Sequence, residues 1–166
     1  YGQQVINGST RGDMANVVLT TTGEYLLLLS SDSAQDQVNF TVWPKTPTSQ
    51  TLALNTPIQA SITQPAQVQR YLFSVDAQQT LYIAPNSNSQ TQNWQWLLVN
   101  SQGQVLTQNN LTTGSFYSVN AGSYYLDVNA NDLSVGEFSF QVFSASQLPQ
   151  IVLNQAQAIH LNPQQH

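Results

Sequence analysis

Ala121-Gly122-Ser123-Tyr124-Tyr125-Leu126-Asp127-Val128 is followed, after a polar loop, by Gly136-Glu137-Phe138-Ser139-Phe140-Gln141-Val142-Phe143. Each stretch opens on glycine and then alternates. Tyr124, Leu126 and Val128 fall on one face of the first, and Phe138, Phe140 and Val142 on one face of the second. Period-2 patterning rich in aromatic and β-branched residues marks a strand with one side in a core. The pair therefore reads as two strands joined by an Asx-rich hairpin loop.

The same pattern occurs earlier, as Thr22-Gly23-Glu24-Tyr25-Leu26-Leu27-Leu28-Leu29 and Val38-Asn39-Phe40-Thr41-Val42-Trp43. Gly23, Tyr25 and Leu27 precede Gly122, Tyr124 and Leu126 by 99 positions, and Phe40 and Val42 precede Phe140 and Val142 by 100. Val5-Ile6 likewise precedes Val105-Leu106, and Leu54-Asn55 precedes Leu153-Asn154. Matches that keep register at alternating apolar positions signal an internal repeat, with a unit of about 99 residues. Because Tyr25, Leu27 and Leu29 match Tyr124, Leu126 and Val128, these are the expected inward positions. The organisation this implies is the back half of one copy over 1–50, a complete copy over 51–149 and the start of another over 150–166. The Pro- and Ser-containing segments 44–49 and 144–149 serve as linkers.

Within the complete copy, Tyr71, Phe73 and Val75 alternate like the later strands. Further strands are expected at 58–63, 80–84, 95–100, 104–107 and 115–119, and the repeat with Leu54–Ile62 makes 153–161 a strand as well. Hairpin turns are expected at Asp76-Ala77-Gln78-Gln79 and Asn100-Ser101-Gln102-Gly103. Strands at this spacing, with no amphipathic helix between them, predict an all-β chain. Its architecture is an antiparallel β-sandwich of jelly-roll or immunoglobulin-like type in tandem repeats.

Composition narrows the function. Charged residues make up 7% of the chain and the net charge is −5, with Arg11, Lys45 and Arg70 as the only Lys or Arg. Nucleic-acid binding needs clustered cations to displace counterions, and three scattered ones do not supply that. The absence of cysteine excludes disulfides and thiolate metal sites. No apolar run reaches the ~18 residues of a helical membrane span, so membrane insertion is not expected. A surface of Gln, Asn, Ser and Thr suits an extracellular module.

The complete copy resembles the bacterial pre-peptidase C-terminal domain family, a β-sandwich appended to secreted proteases and repeated in large surface proteins. The resemblance lies in Tyr71-Leu72-Phe73-Ser74-Val75, the Asn100–Gly103 turn, Gly122-Ser123-Tyr124-Tyr125-Leu126-Asp127-Val128 and Gly136-Glu137-Phe138-Ser139-Phe140. Two positions depart from the family pattern. Gln78 stands where a glycine is usual, and Gln69-Arg70 where an acidic residue precedes the tyrosine. The family includes calcium- and collagen-binding members, and the departures bear on both properties.

Asp127, Asn129, Asn131 and Asp132 alternate oxygen ligands as the opening of a calcium loop does. They are candidate metal ligands, with calcium the candidate cofactor, although Asp132 and Phe138 stand where an EF-hand has Gly and Glu. A solvated hairpin loop accounts for the same residues. Trp94, Trp96, Tyr117 and Tyr125 are candidate ligand-binding aromatics for polysaccharide or a matrix protein such as collagen. Trp94 and Trp96 share a strand face with Leu98, and core packing is the competing reading. Arg11-Gly12-Asp13 spells the integrin-binding tripeptide, and tripeptides recur by chance. Asn7, Asn39 and Asn110 head glycosylation sequons that this composition also generates by chance.

No catalytic residue is assigned. The sequence has no Gly-x-Ser-x-Gly elbow and no His-Glu-x-x-His, and both histidines, His160 and His166, lie in the last part-repeat. The expectation is a non-catalytic structural or adhesive module of a large secreted or cell-surface bacterial protein, partnered by neighbouring repeats. The alternatives are a polysaccharide- or collagen-binding module, an accessory targeting domain of a secreted protease, and a filament subunit assembled by inter-chain strand complementation.

Overall fold

The computed structural model describes residues 7–8, 17, 19–31, 37–86 and 93–145. The chain divides into two compact units, Tyr1–Val42 and Trp43–His166.

Among its described residues the second unit carries nine strands: β1 Pro47–Thr51, β2 Ile58–Ile62, β3 Val68–Val75, β4 Gln79–Pro85, β5 Trp94–Asn100, β6 Val105–Asn110, β7 Ser115–Val119, β8 Gly122–Ala130 and β9 Gly136–Ser144. They form a five-stranded sheet, β1-β3-β8-β5-β6, facing a four-stranded sheet, β2-β9-β4-β7. The expected sandwich is therefore present, and every pairing is antiparallel except the parallel β1–β3 edge.

Alternation sets the faces as the sequence predicts. Tyr71, Phe73, Val75, Leu126, Val128, Phe138, Phe140 and Val142 are all buried, and Tyr124 packs partly buried against them. Aromatic contacts tie the two sheets together. Tyr71 of β3 meets Phe140 of β9 edge-on at 5.1 Å, Phe140 stacks on Phe138 at 6.1 Å, and Phe138 tilts against Trp94 of β5 at 5.8 Å. Each such pair adds about 0.5–1.5 kcal/mol beyond the apolar area it hides.

The connections differ from expectation in three places. Asp76–Gln78 is not a hairpin turn, because β3 and β4 lie in opposite sheets and the segment crosses between them. The loop between β8 and β9 makes the same kind of crossing. Alternation fixes which side of a strand is apolar, and that requirement is equally met in either sheet. The third difference is β1, in the segment read as a linker. Pro-Thr-Ser-Gln-Thr carries no apolar pattern, and pairing with β3 makes it a strand, with Pro47 opposite Val68 and Thr51 opposite Leu72.

The Asn100–Gly103 turn does close the β5–β6 hairpin. Gly103 has φ +81°, in the left-handed region that glycine enters without steric cost. The Asn100 side-chain oxygen accepts from the Gln102 and Gln104 amides at 3.1 and 2.9 Å, which holds the turn from within.

In the first unit no described residue lies in a strand. The expected strands at 22–29 and 38–43 are not formed among these residues. A strand needs a hydrogen-bonded neighbour, and no described segment pairs with either stretch. Leu26 and Leu28 are 83% and 81% exposed, while Tyr25, Leu27 and Leu29 are close to half exposed. The alternation of the complete copy thus persists in the accessibility of these residues. The expected strand at 153–161, Arg11-Gly12-Asp13, Val5-Ile6, His160 and His166 lie outside the described residues.

Candidate functional site

The candidates divide among the outer sheet faces, the crossing loops and the core. On the outer face of the five-stranded sheet, Arg70 and Asp127 are directly opposite each other on β3 and β8. Arg70 Nε donates to Asp127 Oδ1 at 2.7 Å and Nη2 donates to Oδ2 at 2.8 Å. The guanidinium lies over the Tyr125 ring, 3.8 Å from its centroid. This is a bidentate ion pair with a cation–π contact, in which carboxylate and ring both favour the cation. The Asp127 hydrogen bonds hold the Arg70 pKa above its ordinary value, against partial burial.

That geometry bears on the proposed calcium ligands. Both Asp127 oxygens are engaged by Arg70. Asn129 is buried and its amide nitrogen donates to the Ala130 carbonyl at 2.8 Å. Asn131 reaches Asn110 across the loop at 3.4 Å. Asp132 accepts from the Ser134 amide at 2.9 Å and from Asn93 at 3.2 Å, and Ser134 holds its carboxyl below the ordinary range. Each of the four residues is thus engaged in a hydrogen bond of its own within the fold. Among the described residues no group of three His, Cys, Asp or Glu lies close enough to hold a metal ion.

The candidate aromatics separate in the same way. Trp94 and Trp96 are fully buried, which corrects their reading as surface ligand-binding residues. They point inward with Leu98 because strand alternation puts all three on one face. Among the described residues their indole N–H groups meet no hydrogen-bond acceptor, and the Tyr71 hydroxyl has no hydrogen-bond partner. Tyr117 is half-buried and lines an open hollow of about 280 Å³ at one end of the sandwich, with Tyr124 and the Asn100–Gln102 turn. Tyr125 alone stands on an outer face, beneath Arg70.

An aromatic row not assigned from sequence runs across the outer face of the four-stranded sheet. Phe116 of β7, Tyr82 of β4 and Phe143 of β9 are direct cross-strand partners. Tyr82 stacks on Phe116 at 4.4 Å and on Phe143 at 6.3 Å, with interplanar angles of 26° and 22°. Gly114 makes room for it, since a Cβ there would lie 2.2 Å from the Tyr82 hydroxyl. The signal was three aromatics at the outward positions of their strands. Their alignment depends on strand register, which the sequence does not carry.

The entrance to β8 holds a further motif. The Tyr124 hydroxyl donates to the Asn120 carbonyl at 2.9 Å, four residues upstream, around Gly122. In the first unit Tyr25 donates to the Thr21 carbonyl, also four residues upstream, around Gly23. Such tyrosine corners mark the turn into a strand in sandwich folds.

No family model matches the chain. No curated protein matches it either. Among solved structures, it is similar to the pre-peptidase C-terminal domain of a collagenase from Bacillus anthracis, at 19% identity over 61% of this chain and 99% of that one, with a TM-score of 0.49. It is also similar to PliG, a periplasmic inhibitor of g-type lysozyme from Aeromonas hydrophila, at 13% identity over 59% and 96%, TM-score 0.49. A third is the Yersinia pseudotuberculosis-derived mitogen, at 13% identity over 53% and 83%, TM-score 0.46. The first of these is the kind of domain that the sequence motifs resemble.

Proposed function

We propose that this chain is a stretch of a tandem array of β-sandwich modules in a secreted or cell-surface bacterial protein. Each module acts as a non-catalytic structural or adhesive unit. The observation that carries the reading is the tyrosine corner made twice. Tyr25 and Thr21 precede Tyr124 and Asn120 by the same 99 positions as the apolar matches, and both pairs form the same side-chain-to-backbone bond. A sequence repeat supported by a repeated hydrogen bond points to one module used more than once.

The charged groups support the non-catalytic part. Asp127 neutralises Arg70, and Asp132 holds its own loop. Each carboxylate is thus engaged in a local structural contact, Asp127 with Arg70 across two strands and Asp132 with Ser134 and Asn93 at its own loop. The polar, weakly charged surface suits a spacer that stays soluble outside the cell.

Intact mass of the protein isolated from its native source tests the array. The reading expects a covalent mass several times the 18.3 kDa of this chain. A mass near that of the chain alone would overturn it.

A further inference from the structure

We infer that the β7 edge of the four-stranded sheet is a self-association surface, where two copies of the module pair antiparallel, β7 against β7, and extend the aromatic row across the junction. The proposal goes beyond the array reading by naming the surface and the partner.

Four observations carry it. First, among the described residues β7 is a terminal strand that pairs with β4 alone, so one side of its backbone is unmatched by a sheet neighbour. Second, Ser115-Phe116-Tyr117-Ser118-Val119 contains no charge and no proline. Those are the usual devices that keep an edge strand from accepting another chain. Third, Phe116, which ends the outward row at the β7 edge, is 65% exposed. One face of its ring is stacked on Tyr82 and the other is open. Fourth, the 4.4 Å between the Tyr82 and Phe116 rings is close to the ~4.8 Å spacing of neighbouring strands. A strand added beyond β7 would place its outward side chain against the open face of Phe116 at that same spacing.

A strand that carries an outward aromatic and no charge continues the row, and β7 of a second copy, with Phe116 outward and no charged residue, is such a strand. Antiparallel pairing of two identical strands is isologous, and in the register that sets Phe116 opposite Phe116 the two rings meet at the two-fold axis. The row would then run Phe143, Tyr82 and Phe116 to the axis and onward in reverse order. The two four-stranded sheets become one of eight strands. With no charge on β7, like-charge repulsion across the junction does not oppose pairing.

The test is sedimentation velocity of the 166-residue chain over a concentration series, beside Phe116→Lys and, on the other sheet, Tyr125→Lys. The parent and Tyr125→Lys are expected to shift from one to two chain masses as concentration rises. Phe116→Lys is expected to stay monomeric while keeping its far-UV spectrum and melting transition. Ser118→Lys, at an exposed outward position on the same strand, gives the same readout if Phe116→Lys does not fold. A parent chain that stays monomeric throughout, or a dimer that survives both β7 substitutions, overturns the proposal. So would a monomer retarded by a gel containing hydroxyethylcellulose in a Phe116-dependent way, which would assign the row to a glycan. Failure here leaves the covalent mass of the native protein unaffected, so it is distinct from failure of the array reading.

Discussion

The Tyr124 hydroxyl reaches back four residues to the Asn120 carbonyl and clamps the crossing from β7 to β8. The same ring stacks on Phe73 at 5.8 Å, so one side chain closes a loop and packs against the core. Tyr124→Phe separates the two roles, because it removes the hydroxyl and keeps the ring. Loss of one such hydrogen bond is expected to cost about 0.5–1.5 kcal/mol in urea unfolding. Tyr25→Phe is expected to leave the same transition within about 0.5 kcal/mol, as for an exposed site away from a packed core. Equal effects at both positions would show that the two corners are equally embedded in folded structure.

Phe140 is the ring on which the inter-sheet contacts converge. It touches Tyr71 from one sheet and Phe138 in its own, and it is fully buried. Phe140→Ala is expected to destabilise by roughly 3–5 kcal/mol, the usual cost of a buried Phe-to-Ala cavity. That is a large share of a domain's ordinary margin of about 5–15 kcal/mol. A melt that barely moves would mean that β9 presents its other face to the core.

Arg70 and Asp127 form an ion pair whose side chains are 28% and 16% exposed. Its bidentate geometry places it above the ordinary surface pair, while solvent still screens it. A double-mutant cycle of Arg70→Ala and Asp127→Ala is expected to give a coupling of about 1 kcal/mol, weakening as salt is raised. No coupling at low salt would contradict the pairing.

Burial pushes the Tyr71 hydroxyl up to about 12 from its ordinary 10.0. Gln50, opposite on β1, acts in the other direction without completing a hydrogen bond. The unfolded chain therefore loses this proton near pH 10, and the folded chain holds it until about pH 12. The contribution to stability is whole below pH 10 and is lost as pH rises through that window. Stability measured by urea titration at successive pH values should fall between roughly pH 10 and 12, and less steeply in Tyr71→Phe. An unchanged slope in that variant would show that the hydroxyl ionises as freely in the fold as out of it.

The strand faces were legible because side-chain alternation is a local property. Tyr71, Phe73 and Val75 had to share a side whatever they paired with. The same rule placed Trp94 and Trp96 beside Leu98, so their burial was already implied. What the sequence withheld was non-local. Arg70 and Asp127 stand 57 residues apart, and only the β3–β8 register brings them together. The row of Phe116, Tyr82 and Phe143 likewise needs two registers at once. β1 has no apolar pattern of its own, and pairing with β3 makes it a strand. Sequence alone gives the crossings after β3 and β8 as hairpins, because nothing local distinguishes a hairpin from a step between sheets.

Stretching the native protein from its source, one molecule at a time, tests whether this sandwich is a repeated unit. A fully extended chain spans at most about 3.3–3.6 Å per residue, so each 99-residue module that unfolds should lengthen the molecule by roughly 300–350 Å. The account predicts a sawtooth of similar unfolding events separated by that increment. A single event, or increments without a common length, would contradict it.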